Sequence, residues 1–339
     1  MNITELGKQA AVTVAEMIAE GKAIDFESQF EDGKTTIKEM IGTDDGAAEF
    51  VEKITYDFAT GREAVPLVYK SIYRTKSDPN FPLVLTEKTL GNVEVVFLEK
   101  FEGGEVKFGT IGVGAEKSVR FHTWATGVEY DEDIVEYNQT WRVSEIGTAF
   151  GEAYNKLLNH LHMSPIIAGS YVTTGGGLVA QKAKQEHKTT PAAQLIAFDT
   201  DLAKTLQNAL TVLPRGRTLL VNSLDIPVLE NAIAGAMLPD NNPNFVKRTL
   251  SPSDFLVYEG DEVTVGGKTY TYSGVTAGFA YLVVPKGDFI EYIKHDLRVD
   301  SGDGDLSRLI LAQVVGRARR AVLASLASKN GAVKVDIVA

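Results

Sequence analysis

Apolar residues recur at three- and four-residue steps in three stretches of the first half of the chain, and this spacing predicts amphipathic helices. The first stretch covers 3–20 and the second covers 47–59. The strongest pattern lies at 141–163, where one stripe is apolar and residues such as Asn159 lie on the polar side. Pro165 is expected to stop this helix, because proline has no backbone N–H to donate.

Between 66 and 124 the pattern changes to alternation, which is typical of strands with one covered face. The alternation is clear in Val93–Phe97 and again in Ser118–Trp124. Glycine-rich turns separate these arms, and they contain Gly103, Gly104, Gly109, Gly112 and Gly114. The stretch predicts a long β-hairpin whose apolar face no later local segment obviously covers.

The stretch from 166 to 285 predicts a separate α/β unit. Its expected elements are a helix at 202–213, a strand at 218–221, a helix through 234, a hairpin at 263–272 and a strand at 279–284. Asp199 or Thr200 is the expected cap of the first helix, and Ser223 is that of the second. Their side-chain oxygens can accept hydrogen bonds from the unpaired N–H groups of a first turn.

The C-terminal stretch is ambiguous. Leu297–Asp300 and Val333–Val338 predict strands, and a loop is expected over Ser301–Asp305. Leu306–Ala327 fits a helix by composition, whereas Leu309–Val315 would serve equally well as a strand, so both alternatives stay open.

Composition narrows the class of protein. Of the 339 residues, 44% are apolar and 23% are charged, which is ordinary for folded chains and excludes wholesale disorder. The absence of cysteine excludes disulfides, thiolate nucleophiles and sulfur-based zinc sites. No apolar run is long enough to span a bilayer, and charged residues interrupt the place of a secretory signal. We therefore expect synthesis in a cytoplasm and no membrane partner.

The net charge of −11, from 34 basic and 45 acidic residues, argues against sequence-specific DNA binding. Such binding depends on Lys and Arg neutralising phosphates. Arg317, Arg319 and Arg320 form the densest basic spot, and in so acidic a chain they are expected to pair with acids. The acidic cluster at 131–136 predicts a solvated or salt-bridging face. Asp300–Asp305 predicts a surface turn, because it lacks the closing glutamate of a Ca²⁺ loop.

No catalytic, cofactor or metal site is predicted. Gly109–Ser118 approaches a phosphate-binding loop, but Ala115 and Glu116 put Lys117 out of register. His160 and His162 are two residues apart on a helix and point to different faces, so they cannot share a metal ion. The remaining histidines are scattered along the chain, at positions 122, 187 and 295.

The order of these parts resembles the major capsid proteins of tailed bacteriophages, the Hong Kong 97-type fold. The resemblance covers nearly the whole chain and is carried by the segment 125–137 after the hairpin, by the helix Trp141–His162, and by Gly278–Val284 and His295–Val299. In the first of these segments Asp131 stands where the family has serine or threonine, which is a departure.

The resemblance implies an α+β fold of four parts. An N-terminal arm would cover 1–65, an extended hairpin called the E-loop would cover 66–124, and an α/β A-domain would cover 166–285. A P-domain with a long spine helix would combine 125–165 with 286–339.

A structural function without enzyme activity or cofactor is implied by the same resemblance. Copies would self-assemble through hexamers and pentamers into an icosahedral shell, the capsid of a virion, around double-stranded phage DNA. The protein would be made in the cytoplasm of a bacterial host. A portal protein, with decoration or scaffolding proteins, would be the further partners, and contact with the packaged DNA would be non-specific.

The E-loop is expected to touch a neighbouring copy. A two-stranded hairpin alone is marginally stable in water, so its apolar face and open edges need a partner. The residues predicted to make this contact are Glu102, Gly103, Gly104, Glu105, Lys107, Phe108 and Lys117. Some relatives join subunits by a Lys–Asn isopeptide bond helped by a glutamate, and Lys107 or Lys117 could supply the lysine.

Two alternative functions remain open. An encapsulin-type nanocompartment shell would share the fold and hold a cargo protein, which would co-purify. A soluble α/β enzyme would use the unit at 166–285, with Asp199 and Asp225 as its acting carboxylates. The hairpin argues against the enzyme, since a monomer has no reason to keep it.

Overall fold

The computed structural model describes residues 44–93, 111–131, 137, 140–174, 194–199, 201–235, 254–265, 267–303, 310–326 and 330–338. The predicted helix at 3–20 and the turns at 102–105 lie outside the described residues. Within these ranges the chain mixes helices with four separate sheets, so the α+β class is confirmed.

The helices are α1 Asp44–Ala64, α2 Thr140–Ile167, α3 Leu202–Val212 and α4 Ile226–Gly235, with 3₁₀ turns at Val68–Ser71 and Ser223–Asp225. The strands of the first half are β1 Arg74–Ser77, β2 Val84–Val93, β3 Ile111–Arg120, β4 His122–Asp131, β5 Val172–Thr174 and β6 Gln194–Ile196. The strands of the second half are β7 Thr218–Val221, β8 Phe255–Val257, β9 Gly260–Val265, β10 Lys268–Ser273, β11 Phe279–Val283, β12 Phe289–Asp303, β13 Ile310–Ala324 and β14 Ala332–Asp336.

Helix α2 is the long helix that the sequence predicts, but Pro165 does not stop it. The backbone continues in helical hydrogen bonding past the proline, since the Ala168 N–H donates to the Ser164 carbonyl at 2.8 Å. Proline removes one hydrogen bond near the helix end, where few remain to be lost. The prediction that Asn159 lies on an exposed side is also wrong, because this residue is 3% exposed.

Two asparagines of α2 hold the connection that leaves α1. The Asn155 side-chain amide donates to the carbonyls of Arg62 and Val65, at 2.6 and 2.8 Å. One turn later Asn159 donates to the Pro66 carbonyl at 2.9 Å and accepts from the Val68 N–H at 3.0 Å. These bonds satisfy backbone groups that a buried loop would otherwise leave unpaired.

Helices α1 and α2 approach each other backbone to backbone. A Cβ on Gly61 would lie 2.0 Å from the Thr148 carbonyl oxygen, and one on Gly151 would lie 2.2 Å from that of Phe58. Any side chain at these two positions would push the helices apart. The glycines therefore fix the distance between α1 and α2.

The four-stranded sheet has the order β1-β12-β13-β4, and its long strands β12 and β13 are antiparallel. The open alternative for 306–327 is thereby resolved, because Ile310–Ala324 is a strand. The expected loop over Ser301–Asp305 begins later than predicted, since β12 continues to Asp303. Pairing on both sides of β13 outweighs the helix propensity of its alanines, leucines and arginines.

The six-stranded sheet has the order β5-β6-β14-β11-β7-β8. Alternate residues of β11 reach two different cores. Leu282 packs with α3 and α4, whereas Tyr281 and Val283 pack with the core that contains α2. The terminal strand β14 belongs to this sheet and not to the four-stranded one, so the segment 286–339, expected as one part of the P-domain, is shared between two sheets.

The predicted elements of 202–283 are confirmed, but not their caps. Asp201 caps α3 by accepting from the Lys204 N–H at 2.7 Å, instead of Asp199 or Thr200. Asn222, instead of Ser223, accepts from the Leu224 N–H at 3.1 Å before α4. Each observed cap lies within two residues of the predicted one.

Candidate assembly surfaces

The predicted hairpin is present as the two strands β2 and β3. They pair antiparallel, with Val84 opposite Arg120 and Glu87 opposite Lys117, and they form a sheet of their own. Among the described residues no third strand joins either edge. The second arm is shorter than predicted, because 122–124 belong to β4 in the four-stranded sheet.

The base of the hairpin is fixed to the four-stranded sheet by an aromatic cluster. Phe121 lies between β3 and β4, is 5% exposed, and packs with Phe81, Tyr292 and Ala321. The Phe81 ring stacks on that of Phe121 at 5.7 Å. The Phe121 N–H donates to the Leu83 carbonyl at 3.0 Å. The hairpin is therefore joined to the four-stranded sheet through a buried root.

Apolar side chains are exposed at this root. Leu83 is 59% exposed and Val84 is 52% exposed, and the two are adjacent in the chain. Together with the open strand edges they form a surface that water covers poorly in an isolated copy. We call Leu83, Val84 and the edges of β2 and β3 the hairpin surface.

Of the residues predicted to contact a neighbouring copy, the structure places Lys117 on β3. The other six, Glu102 to Phe108, lie outside the described residues. Sequence reasoning missed Leu83 and Val84, which precede the alternating pattern. Their signal was the hydrophobic run Leu83–Leu85 between Pro82 and the polar Thr86.

An ionic cluster joins α2 to the four-stranded sheet, with Arg320 and Glu291 buried and the Asp296 side chain 57% exposed. Arg320 of β13 donates to the carboxylates of Glu291 and Asp296 on β12, and its Nε donates to the Tyr154 hydroxyl at 3.0 Å. Arg320 and Glu291 are 4% and 2% exposed. We call Tyr69, Tyr154, His162, Glu291, Asp296 and Arg320 the ionic cluster.

Glu291 is the centre of the ionic cluster. It accepts hydrogen bonds from the Tyr69 hydroxyl at 3.3 Å and the Thr75 hydroxyl at 3.1 Å. His162 Nε2 lies 3.2 Å from Glu291 Oε1, and the His162 ring stacks on that of Tyr69 at 3.6 Å. These partners come from four different elements, so the carboxylate ties the connection after α1, β1, α2 and β13 to β12.

The electrostatics favour the charged forms of Glu291, Asp296 and Arg320. Burial by itself would raise the pKa of Glu291, but His162 and Arg320 outweigh it and lower the pKa to about 2. Burial would also raise the pKa of Asp296, but Arg320 outweighs it and holds this pKa below its ordinary value. Burial would lower the pKa of Arg320, and its anionic and hydroxyl neighbours raise it. A buried pair of this kind is costly to break from one side only.

The predicted basic spot divides between two faces of the sheet. Arg320 is buried in the ionic cluster, whereas Arg317 pairs with Asp300 at 2.9 Å on the exposed side. The expectation that these arginines pair with acids is confirmed for both. Arg319 instead donates to the Thr123 hydroxyl at 3.0 Å.

The residues considered for catalysis have structural contacts. Asp225 accepts from the Gly278 N–H at 2.9 Å, and Asp199 accepts from the Asn208 amide at 3.2 Å. The segment that approached a phosphate-binding loop is extended β3 from residue 111 onward. A phosphate-binding loop precedes a helix, so this segment does not have that geometry.

The histidines lie apart. His160 stacks on Tyr272 at 4.7 Å, while His162 is in the ionic cluster. In the part of the chain that the structure describes, no three His, Asp or Glu side chains are grouped as metal ligands would be. None of the described helices has the length and apolar character needed to cross a membrane. The acidic cluster at 131–136 lies mostly outside the described residues, with Asp131 as the last residue of β4.

Comparison with known proteins gives one family. The family model described as phage capsid protein matches residues 114–335, which is more than half of the chain. The match begins in β3 and ends in β14, so it includes α2, the strands of the six-stranded sheet up to residue 335, and the four-stranded sheet apart from β1. No curated protein sequence matches the chain.

Solved structures with a similar arrangement include viral and virus-like particles. The mature capsid of bacteriophage PhiM1 is 10% identical, with 79% of this chain and 86% of that chain covered and a TM-score of 0.47. A virus-like particle from Pyrococcus furiosus is 10% identical, with 84% and 98% covered and a TM-score of 0.47. A chain from Mycobacterium phage Adephagia is 16% identical, with 80% and 90% covered and a TM-score of 0.43.

Proposed function

This chain belongs to the phage capsid protein family and is a structural major capsid protein; from this premise we propose that its copies close into an icosahedral shell through the hairpin surface. The shell would consist of hexamers and pentamers and would enclose double-stranded phage DNA. The hairpin of β2 and β3 is the observation that carries the proposal. Among the described residues, nothing pairs with the outer edges of these two strands, and apolar side chains are exposed at their root.

The supporting argument is energetic. An isolated two-stranded hairpin is marginally stable, so β2 and β3 gain order when another surface covers them. Each such contact can be weak, because a closed shell repeats it around every copy and the repeated contacts reinforce one another. The net charge of −11 would limit adhesion to packaged DNA.

The four-part division follows from the same resemblance. The N-terminal arm would cover 1–65, the E-loop 66–124 and the A-domain 166–285, with the P-domain formed by 125–165 and most of 286–339. The six-stranded sheet with α3 and α4 supports the A-domain, and α2 against the four-stranded sheet supports the P-domain. Portal, decoration or scaffolding proteins would join the assembly in the cytoplasm of a bacterial host.

Assembly is tested directly on the full chain. Sedimentation velocity and negative-stain microscopy of the purified protein should show closed particles or capsomers. Hydrogen exchange should then show the amides of β2 and β3 protected in the assembled fraction and open in the unassembled one. A chain that stays monomeric at high concentration, with β2 and β3 equally protected at every concentration, would contradict the proposal.

The same particles test two further expectations. A co-purified protein inside the particles, in place of DNA, would favour the nanocompartment alternative. A Lys–Asn isopeptide bond through Lys107 or Lys117 predicts covalent ladders on a denaturing gel of mature particles. Bands of single-chain mass alone would rule this cross-link out.

A further inference from the structure

The exposed side of the four-stranded sheet gathers positive charge. In the pairing of β12 with β13, His295 lies opposite Arg319 and Arg298 lies opposite Arg317, and Lys294 is adjacent on β12. Residues opposite each other in an antiparallel pair share a face. We call Lys294, His295, Arg298, Arg317 and Arg319 the basic patch.

Within the described part of the chain, the basic patch has few negative partners. Asp300, 2.9 Å from Arg317, is the carboxylate with which it forms an ion pair among the described residues. The other cations use neutral groups. Arg319 donates to the Thr123 hydroxyl, Arg298 faces His295 Nδ1 at 3.4 Å, and Lys294 donates to the Phe81 carbonyl.

The cations lie close enough together to affect the pKa of the histidine among them. Burial lowers the pKa of His295, and the charges of Arg298, Arg319, Lys294 and Arg317 lower it further. Like charges held this close repel each other in the isolated copy. An anionic group brought to this face would relieve the repulsion of four cations at once.

We propose that the basic patch docks an acidic segment of a second copy of this chain. The proposal rests on the proposed function and names a contact that the hairpin surface does not supply. Every copy carries 45 acidic against 34 basic residues, so a neighbour offers carboxylates in excess. Asp300 already shows that Arg317 can pair with a carboxylate at this face. The patch also lies on the same sheet as the root of the hairpin, through Tyr292 and Ala321.

Charge reversal is the first test. The variant Arg298→Glu with Arg319→Glu should need at least about tenfold more protein to assemble than wild type, equivalent to about 1.4 kcal/mol. Wild-type assembly should weaken with added NaCl and that of the variant should not, because salt screens exposed charges. The matched control, Arg215→Glu with Lys268→Glu, makes the same charge change at exposed positions outside the patch. Equal assembly of the variant and this control would overturn the proposal.

Folding and the nature of the partner are checked together. Urea unfolding of the charge-reversal variant should match the control, since the changed residues lie at the surface. Fluorescence anisotropy with a short DNA duplex tests whether the patch binds nucleic acid instead of a second copy. If assembly is unchanged and only duplex binding is lost, the patch serves nucleic acid and the proposal is wrong.

Cross-linking identifies the partner residue. The variant Arg298→Lys with Arg319→Lys keeps the charge and supplies amines that a carbodiimide joins directly to carboxylates. Copies labelled with ¹⁴N and ¹⁵N are mixed before the reaction, and cross-linked peptides of mixed label are expected at these lysines. Cross-links confined to Asp300 of the same copy would contradict the docking. If the wild type assembles without mixed-label cross-links, only this inference fails; if it neither assembles nor cross-links between copies, the proposed function fails with it.

Discussion

The four-stranded sheet and the hairpin of β2 and β3, which meet at Phe121, differ in what covers them. The four-stranded sheet is covered by α2, and the ionic cluster fixes the two together inside one copy. The hairpin of β2 and β3 has a buried root and no further strand among the described residues. From this contrast we expect the sheet to stabilise each copy and the hairpin to contact a neighbouring copy.

The largest effect is expected at the centre of the ionic cluster. Glu291→Gln leaves Arg320 with one carboxylate fewer in a buried site, and breaking such a pair from one side costs about 3–5 kcal/mol. Urea unfolding of the unassembled chain measures the loss. Glu262→Gln on the exposed strand β9 is the control and should change stability by less than about 0.5 kcal/mol. Equal stability of the two variants would show that the cluster does not hold the sheet to α2.

The root of the hairpin should respond next. Phe121→Ala removes a buried ring from between Phe81 and Tyr292, and such truncations cost about 3 kcal/mol. Because Phe121 serves both β-structures, this variant should lower the unfolding free energy and also weaken assembly. Both are measured on the same preparation, by urea unfolding and by sedimentation. A loss of assembly with unchanged stability would assign Phe121 to the neighbour contact instead of the core.

Acid should destabilise the four-stranded sheet and its contact with α2. The folded-state pKa of Glu291, about 2, lies below the ordinary value of 4.5, so the unfolded chain binds the proton more readily. The stabilisation is therefore fully present above about pH 4.5 and is lost as the pH falls toward 2, by about 2–3 kcal/mol. Unfolding free energies measured across this range should fall more steeply for wild type than for Glu291→Gln. Parallel pH curves for the two proteins would show that Glu291 does not cause the acid sensitivity.

The smallest effect on stability, under about 0.5 kcal/mol, is expected for Leu83→Asp and Val84→Asp, because both side chains are already exposed. Their effect on assembly should nonetheless be large, since a charge would be buried against the neighbour. Sedimentation measures the shift, and Leu224→Asp, at a leucine 75% exposed and outside the hairpin, is the matched control. Assembly equal to that of the control would mean that the hairpin root faces solvent in the shell.

Periodicity predicted the elements whose partners are local. The stripe of α2 and the turn between β9 and β10 depend on residues a few positions apart, so their sequence carries the signal. The end of α2 was predicted wrongly at Pro165, because the rule that proline stops a helix does not distinguish a helix interior from its last turn. Strand β13 stayed ambiguous, because β12 and β4, which decide its conformation, lie elsewhere in the sequence.

The sites were harder to predict than the elements. Glu291 meets Tyr69, which is 222 residues away in the chain, and no local pattern indicates that contact. The basic patch shows the same limit, since Arg317 and Arg319 were visible as a basic spot but Lys294, His295 and Arg298 join them only through strand pairing. The family resemblance supplied what periodicity could not, namely the family to which the chain belongs.

Strands β3 and β4 are separated by Phe121 alone, so the hairpin and the sheet are nearly one continuous ribbon with a single-residue pivot. Ten residues of strand extend about 33 Å from that pivot. A tilt of about 10° at the root would swing the far end by about 6 Å, by the same geometry. Small changes in how one particle wall curves would thus be absorbed at Phe121, leaving the body of each copy undistorted.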